Sequence, residues 1–170
     1  EDREVTINFP LYTDVKNLYV GVSKDAYIEA PKPYRVEKPV VYYGSSVTQG
    51  GCASRPGNAY QAVISRRLSC DHINLGFSGS AKGEDTMIDY IKNLEMSVFV
   101  YDYDHNAPNP EYLKATHRRL YEKIRTAHPD LPFIIMSKCD FVYGEENSIK
   151  RRDIIYETFR YAKNNGDKNI

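Results

Sequence analysis

The sequence predicts an α/β fold of three layers, a parallel sheet with helices on both faces, and two observations carry that expectation. From residue 40 onward, short β-rich runs alternate with stretches of helical periodicity, joined by short connections. The first run, Val40-Val41-Tyr42-Tyr43, is continuously β-forming, the pattern of a strand covered on both faces. Each crossover is expected to be right-handed.

A different region comes first. Within residues 1–22, Val5, Ile7 and Phe9 share one face, as do Leu18, Val20 and Val22, with Thr13-Asp14-Val15-Lys16-Asn17 between them, so a β-hairpin is expected. A lone hairpin is barely stable in water, and this one should pack on something else. Residues 29–39 hold three prolines with mixed charge, a stiff connector. The expected division is a β-strand segment and linker over residues 1–35, then an α/β domain over residues 36–170.

Inside the domain, the strand at 40–43 runs into Gly44-Ser45-Ser46-Val47-Thr48-Gln49-Gly50-Gly51, which cannot extend it. Asn58 is the expected N-cap of a helix that turns Tyr60, Val63, Ile64 and Leu68 inward. A strand at 72–75 leads to Gly76-Phe77-Ser78-Gly79-Ser80-Ala81-Lys82-Gly83, and the next helix sets Met87, Ile91 and Leu94 on one face. The strand at 97–101 gives way to Asp102-Tyr103-Asp104-His105-Asn106-Ala107-Pro108-Asn109. Pro110 directly behind Asn109 fits the first helical position after an N-cap. That helix carries Leu113, Leu120, Ile124 and Ala127 inward and Lys114, Arg118, Glu122 and Arg125 outward. A fourth strand at 133–137 and a helix from about Ser148, burying Ile155, Phe159 and Ala162, follow. After Gly166 a further strand is expected to open.

Composition narrows the function. With 170 residues, 41% hydrophobic and 27% charged, the chain fits one globular domain plus a fragment. Lys+Arg and Asp+Glu are equal at 23 each, so neither a nucleic-acid partner nor an acidic tail is expected. A neutral small-molecule or carbohydrate-like substrate fits better than a polyanion. No apolar run is long enough for a membrane span and no leader pattern is present; because the first residue is Glu1, an upstream leader or domain is expected to have been removed. Cys52, Cys70 and Cys139 are odd in number and widely spaced, which predicts buried free thiols rather than disulfides or a zinc site. Fifteen tyrosines and no tryptophan fit either sugar stacking or core filling.

Three polar loops, each following a strand, are expected to converge at one edge of the sheet, where open parallel sheets bind ligands. Acyl transfer from an ester needs a nucleophile and hydrogen-bond donors aimed at the oxyanion. Ser46 is the candidate nucleophile, Gly79 offers a bare peptide N–H, and Asn106 offers a carboxamide. The elbow motif G-x-S-x-G fails because Thr48 stands two positions after Ser46, and a phosphate loop fails because no Lys follows Gln49. On local pattern alone, an ordinary loop in which Ser45, Ser46 and Thr48 satisfy backbone groups fits equally well. Asp102, Asp104 and His105 have the chemistry of metal ligands, but no second cluster accompanies them, so neither a metal nor another cofactor is expected.

These residues resemble the SGNH or GDSL-type esterases. Gly44-Ser45-Ser46-Val47-Thr48-Gln49-Gly50 is similar to their first block, with Ser45 where an aspartate is usual and Ser46 at the nucleophile. Asn74-Leu75-Gly76-Phe77-Ser78-Gly79 resembles the second, which implies Gly79 as oxyanion-hole glycine. Val100-Tyr101-Asp102-Tyr103-Asp104-His105-Asn106-Ala107-Pro108 resembles the third, with Asn106 in the asparagine role and Asp104 replacing the usual glycine. The nearest likeness is to a branch with this Asp-Tyr-Asp-His-Asn variant and a preceding small β-module, whose end residues 1–34 resemble. The resemblance implies a flavodoxin-like sheet, an extracytoplasmic location, and hydrolysis of an ester, an O-acyl group on a carbohydrate.

The family's last block, D-x-x-H, supplies the orienting acid and the base, and nothing after the third block fits it. His72, His117 and His128 read as surface or packing histidines, and His105 lies beside Asn106 in a position that is not the family's base. The expectation is that the chain stops short of that block; loss of the base would instead lower turnover by about 10⁶. A pocket without its base, serving as a carbohydrate-binding or scaffold module, is the alternative.

Overall fold

In the computed structural model, which describes residues 3–170, four parallel strands form one sheet in the order β2-β1-β3-β4. The strands are β1 (Val36–Gly44), β2 (Cys70–Gly76), β3 (Val98–Asp102) and β4 (Phe133–Ile135). Five helices connect or follow them: α1 (Ser46–Gln49), α2 (Tyr60–Leu68), α3 (Asp85–Ile91), α4 (Pro110–Ala127) and α5 (Glu145–Asn164). This is the α/β fold expected, with the sheet between helical layers. Among the described residues, no helix is long and apolar enough to cross a membrane.

Side-chain alternation along β1 and β3 separates the two faces of the sheet. Val41, Tyr43, Phe99 and Tyr101 join Ile88 and Ile91 of α3, Leu113, Leu120 and Ile124 of α4, and Ile155 and Ala162 of α5 in the main core. Tyr42 points the other way and meets Tyr60 of α2 edge-on, with ring centroids 5.6 Å apart. Tyrosines therefore fill much of the core, each polar end needing a partner. The Tyr43 hydroxyl donates to Glu84 and accepts from the Gly83 N–H, and the Tyr103 hydroxyl donates to Thr116.

α4 begins as expected, with Asn109 accepting the Tyr112 N–H at 2.8 Å and Pro110 in the first turn. Other elements differ from the sequence reading. Asn58 is not the N-cap of α2: it closes a short 3-10 turn over Pro56–Asn58 and its amide donates to Ser54, leaving Ala59 at the cap. α2 buries Gln61, Ala62 and Ser65 while Leu68 is exposed, because Gln61 donates to the Thr48 carbonyl at 2.5 Å and Ser65 to the Cys70 carbonyl at 2.7 Å. Two polar side chains thus hold this helix to the backbone. α5 begins at Glu145 behind Gly144, whose left-handed backbone ends the preceding turn. β4 stops at Ile135, and the Ser137 hydroxyl donates to Asp104 instead. The strand expected after Gly166 is not formed, although the Phe133 N–H does donate to the Asn169 carbonyl at 2.7 Å. Only Cys70 is buried; Cys52 and Cys139 lie exposed in loops.

Residues 3–35 carry no helix or strand, and no backbone hydrogen bond joins the two runs expected to pair. Val5, Ile7, Leu18 and Val20 are all at least half exposed, so nothing covers the apolar face that would hold a two-stranded ribbon together.

Candidate active site

The candidate residues leave three strands whose ends are level. Gly44 of β1 pairs with Gly76 of β2 on one side and with Asp102 of β3 on the other. Ser46, Gly79 and Asn106 follow these three positions by a few residues each. The ends also fit closely: a methyl on Gly44 would strike Thr48 and the Asp102 carbonyl, and one on Gly76 would strike the Gln49 backbone. Hydrogen bonds from Ser45 N–H to the Asp102 carbonyl and from Phe77 N–H to the Gly44 carbonyl lock the loops to one another.

Ser46 is the first residue of α1, half-buried, behind the N-cap Ser45, whose hydroxyl accepts the Val47 N–H at 3.3 Å. Its carbonyl accepts from Gly50 and Gly51, which folds the turn back on itself. Gly79 is exposed, and its N–H donates to Asn106 Oδ1 at 3.2 Å; Asn106 Nδ2 in turn donates to the Phe77 carbonyl at 2.8 Å. The structure therefore brings Gly79 and Asn106 into contact. Ser46 stands on the neighbouring strand end and, among the described residues, hydrogen-bonds to neither.

Beneath Asn106 the site is buried and charged. Arg151 of α5 inserts its guanidinium under the turn, donating to the Asp104 carbonyl and, at 2.9 Å, to the Ala107 carbonyl, so it brackets His105 and Asn106. The Asp104 carboxylate accepts from Ser137 at 3.2 Å and from the Lys138 N–H at 3.1 Å. Asp102, almost fully buried, accepts from the Thr48 hydroxyl at 3.3 Å. Burial, reinforced by the charge of Asp104, pushes the Asp102 carboxyl up to about 7, against the opposing pull of the Thr48 hydrogen bond.

The three residues considered as metal ligands face different partners, and among the described residues no three His, Cys, Asp or Glu side chains form a group that could hold a metal ion. His105 Nε2 lies 3.5 Å from Asp140. The other histidines serve packing. His117 is enclosed against Tyr101 and Tyr103 with Nδ1 at 2.8 Å from the Thr158 hydroxyl, and burial drives it down to about 3. His128 bonds to the Lys92 carbonyl, and burial lowers His72.

Sequence reasoning missed Thr48, Gln49 and Arg151. The signal for Arg151 was present: Ser148, Arg151, Ile155, Thr158 and Ala162 form the buried stripe of α5, and an arginine within an inward stripe calls for buried acceptors.

Ser46 thus stands on a strand-to-helix turn, and the next two loops join the Gly79 N–H to the Asn106 carboxamide. Residues 37–167 match the model of the GDSL-like Lipase/Acylhydrolase family, and the chain belongs to that family. Solved structures share the fold. A protein from Bacteroides ovatus described as a GDSL-like lipase superposes with a TM-score of 0.76 at 30% identity, covering 87% of this chain and 45% of that one. The salicylyl-acyltransferase SsfX3 of a tetracycline biosynthetic pathway matches with a TM-score of 0.67 at 20% identity over 78% of this chain and 41% of its own. A family two carbohydrate esterase from Clostridium thermocellum matches with a TM-score of 0.59 at 17% identity, over 84% and 54%. This chain thus spans about half or less of each. No curated protein matches the sequence.

Proposed function

We propose that the protein hydrolyses an ester, with Ser46 as nucleophile and an oxyanion hole built from the N–H groups of Ser46 and Gly79 and the Asn106 carboxamide. The observation that carries this reading is the hydrogen bond from Gly79 N–H to Asn106 at 3.2 Å, which joins two loops beside the strand end that bears Ser46. Ser46 Oγ attacks the acyl carbon and the carbonyl electron pair moves onto oxygen. That oxyanion displaces Asn106 Oδ1 from the Gly79 N–H, and rotation of the carboxamide turns Nδ2 toward the same oxygen. Collapse expels the alcohol with a proton, and water then releases the acid from Ser46. The Ser46 proton needs a base; none of the four histidines hydrogen-bonds to Ser46, and no D-x-x-H follows the third block in residues 110–170.

The ester is an O-acyl, acetyl-like group on a carbohydrate. This is supported by the shared fold of the carbohydrate esterase above and of a two-domain esterase active on acetylated mannans. Residues 1–35 are the remnant of a β-module and its linker, preceding the hydrolase domain of residues 36–170, in keeping with the exposure of residues 3–35 other than Leu11 and their lack of sheet pairing. A fluorophosphonate probe tests the central reading: the intact protein should label, and Ser46→Ala should not. Labelling that survives Ser46→Ala defeats the assignment, and an unlabelled wild type favours a binding module.

A further inference from the structure

Of residues 3–35, Leu11 alone is not exposed, and what it touches is the turn bearing Ser46. A methyl added to Gly50 would collide with Leu11 Cδ1, and one added to Gly51 would sit 3.1 Å from the Tyr12 hydroxyl. That hydroxyl donates to the Ser46 carbonyl at 3.2 Å. Gln49 Nε2 donates to the Leu11 carbonyl at 2.9 Å, while the other end of the same carboxamide, Oε1, accepts the Ser78 N–H at 2.7 Å. Ser78 immediately precedes Gly79. One planar side chain therefore ties together the N-terminal segment, the serine turn and the loop of the oxyanion glycine.

Building on the reading of Ser46 as nucleophile and Gly79 as oxyanion donor, we propose that Leu11 and Tyr12 are part of the active site, and that Gln49 is the positioning residue coupling them to the loop of Gly79. The donor and acceptor ends of a carboxamide keep a fixed separation, so a shift of Leu11 moves Ser78 and with it the direction of the Gly79 N–H. Donor direction matters because an oxyanion is stabilised only by groups already aimed at it, and a misplacement of about 1 Å can cost about 10²-fold. The N-terminal segment accordingly sets the rate of the chemical step through the serine turn.

The test compares Gln49→Met, Leu11→Ala and Tyr12→Phe with wild type and Ser46→Ala in the intact protein. It reads the fluorophosphonate labelling rate, kcat and KM for p-nitrophenyl acetate, and the melting temperature. Gln49→Met should label and turn over about 10²-fold more slowly with KM unchanged. Tyr12→Phe should lose about fivefold in kcat, the worth of one hydrogen bond, and Leu11→Ala should move in the same direction. Wild-type rates in Gln49→Met, or a loss of kcat that only follows a loss of folded protein, overturn the proposal. Should Gln49→Met fail to fold, the two N-terminal variants decide: wild-type kcat in both overturns it. Labelling of Ser46→Ala, or none in wild type, would instead overturn the nucleophile assignment beneath it.

Discussion

The turn after β1 and the turn after β3 flank the candidate site at level strand ends but are held in opposite ways. The first is built from uncharged residues: a capped helical turn whose Ser46 carbonyl accepts from the exposed Tyr12, and whose Thr48 and Gln49 side chains bond to Asp102, Leu11 and Ser78. The second carries two buried carboxyls and lies over a buried guanidinium from a distant helix. The proposed nucleophile needs access, and its turn is held by backbone geometry and neutral side chains. The backbone that carries the Asn106 carboxamide is instead anchored from below, where fewer waters compete for its supports.

Three substitutions sharpen that contrast, the first with the largest expected effect. Arg151→Met leaves the Asp104 and Ala107 carbonyls without their donor and should cost about 3 kcal/mol in unfolding free energy, measured by urea titration. Next comes Asp102→Asn, read against pH. The Asp102 carboxyl is harder to ionise folded than unfolded, so its stabilising contribution is complete below about 3.8 and disappears as pH rises through about 7. Wild type should therefore lose about 2 kcal/mol relative to Asp102→Asn between pH 5 and pH 7. His117 works in the other sense: driven down to about 3, it costs stability as pH falls below 6.5. Since the two oppose each other across the overlap, Asp102→Asn should also show the steeper acid loss; equal slopes in both proteins would refute the assignment. The smallest effect is expected at the serine turn, where Ser45→Ala removes one N-cap bond worth about 1 kcal/mol. If Ser45→Ala proves costlier than Arg151→Met, the contrast between the two turns is wrong.

What the sequence could reveal followed from local rules. The Asn109-Pro110 start of α4, the continuous β-forming run of β1, and the three loops at strand ends are each written within a few residues, and all appear in the structure. What stayed hidden depends on contacts between remote segments. The face that α2 buries is chosen by Gln61 and Ser65 reaching backbone carbonyls, which no hydrophobic period reports. The start of α5 could have been read from Gly144 with Glu145 and Glu146 in the first turn, an arrangement that suits the positive end of a helix. The alternation in residues 5–22 obeys strand periodicity, yet periodicity supplies only one face of an interface, and the other face is not among these residues. At the candidate site, Ser46, Gly79 and Asn106 are singled out by residue type and position and Arg151 by its place in the inward stripe of α5, whereas Gln49 could be recognised only from what it touches.

The crowding at Gly44 and Gly76 bears on how such a site changes over generations. Every single-nucleotide change that turns a glycine codon into another amino acid adds at least a β-carbon; at Gly76 that atom would meet the backbone of Thr48 and Gln49, and at Gly44 the Asp102 carbonyl together with the buried Thr48 side chain. Drift at these two codons is barred at the first step, so new substrate preferences would have to be found along the loop rims, with the floor of the cleft inherited intact.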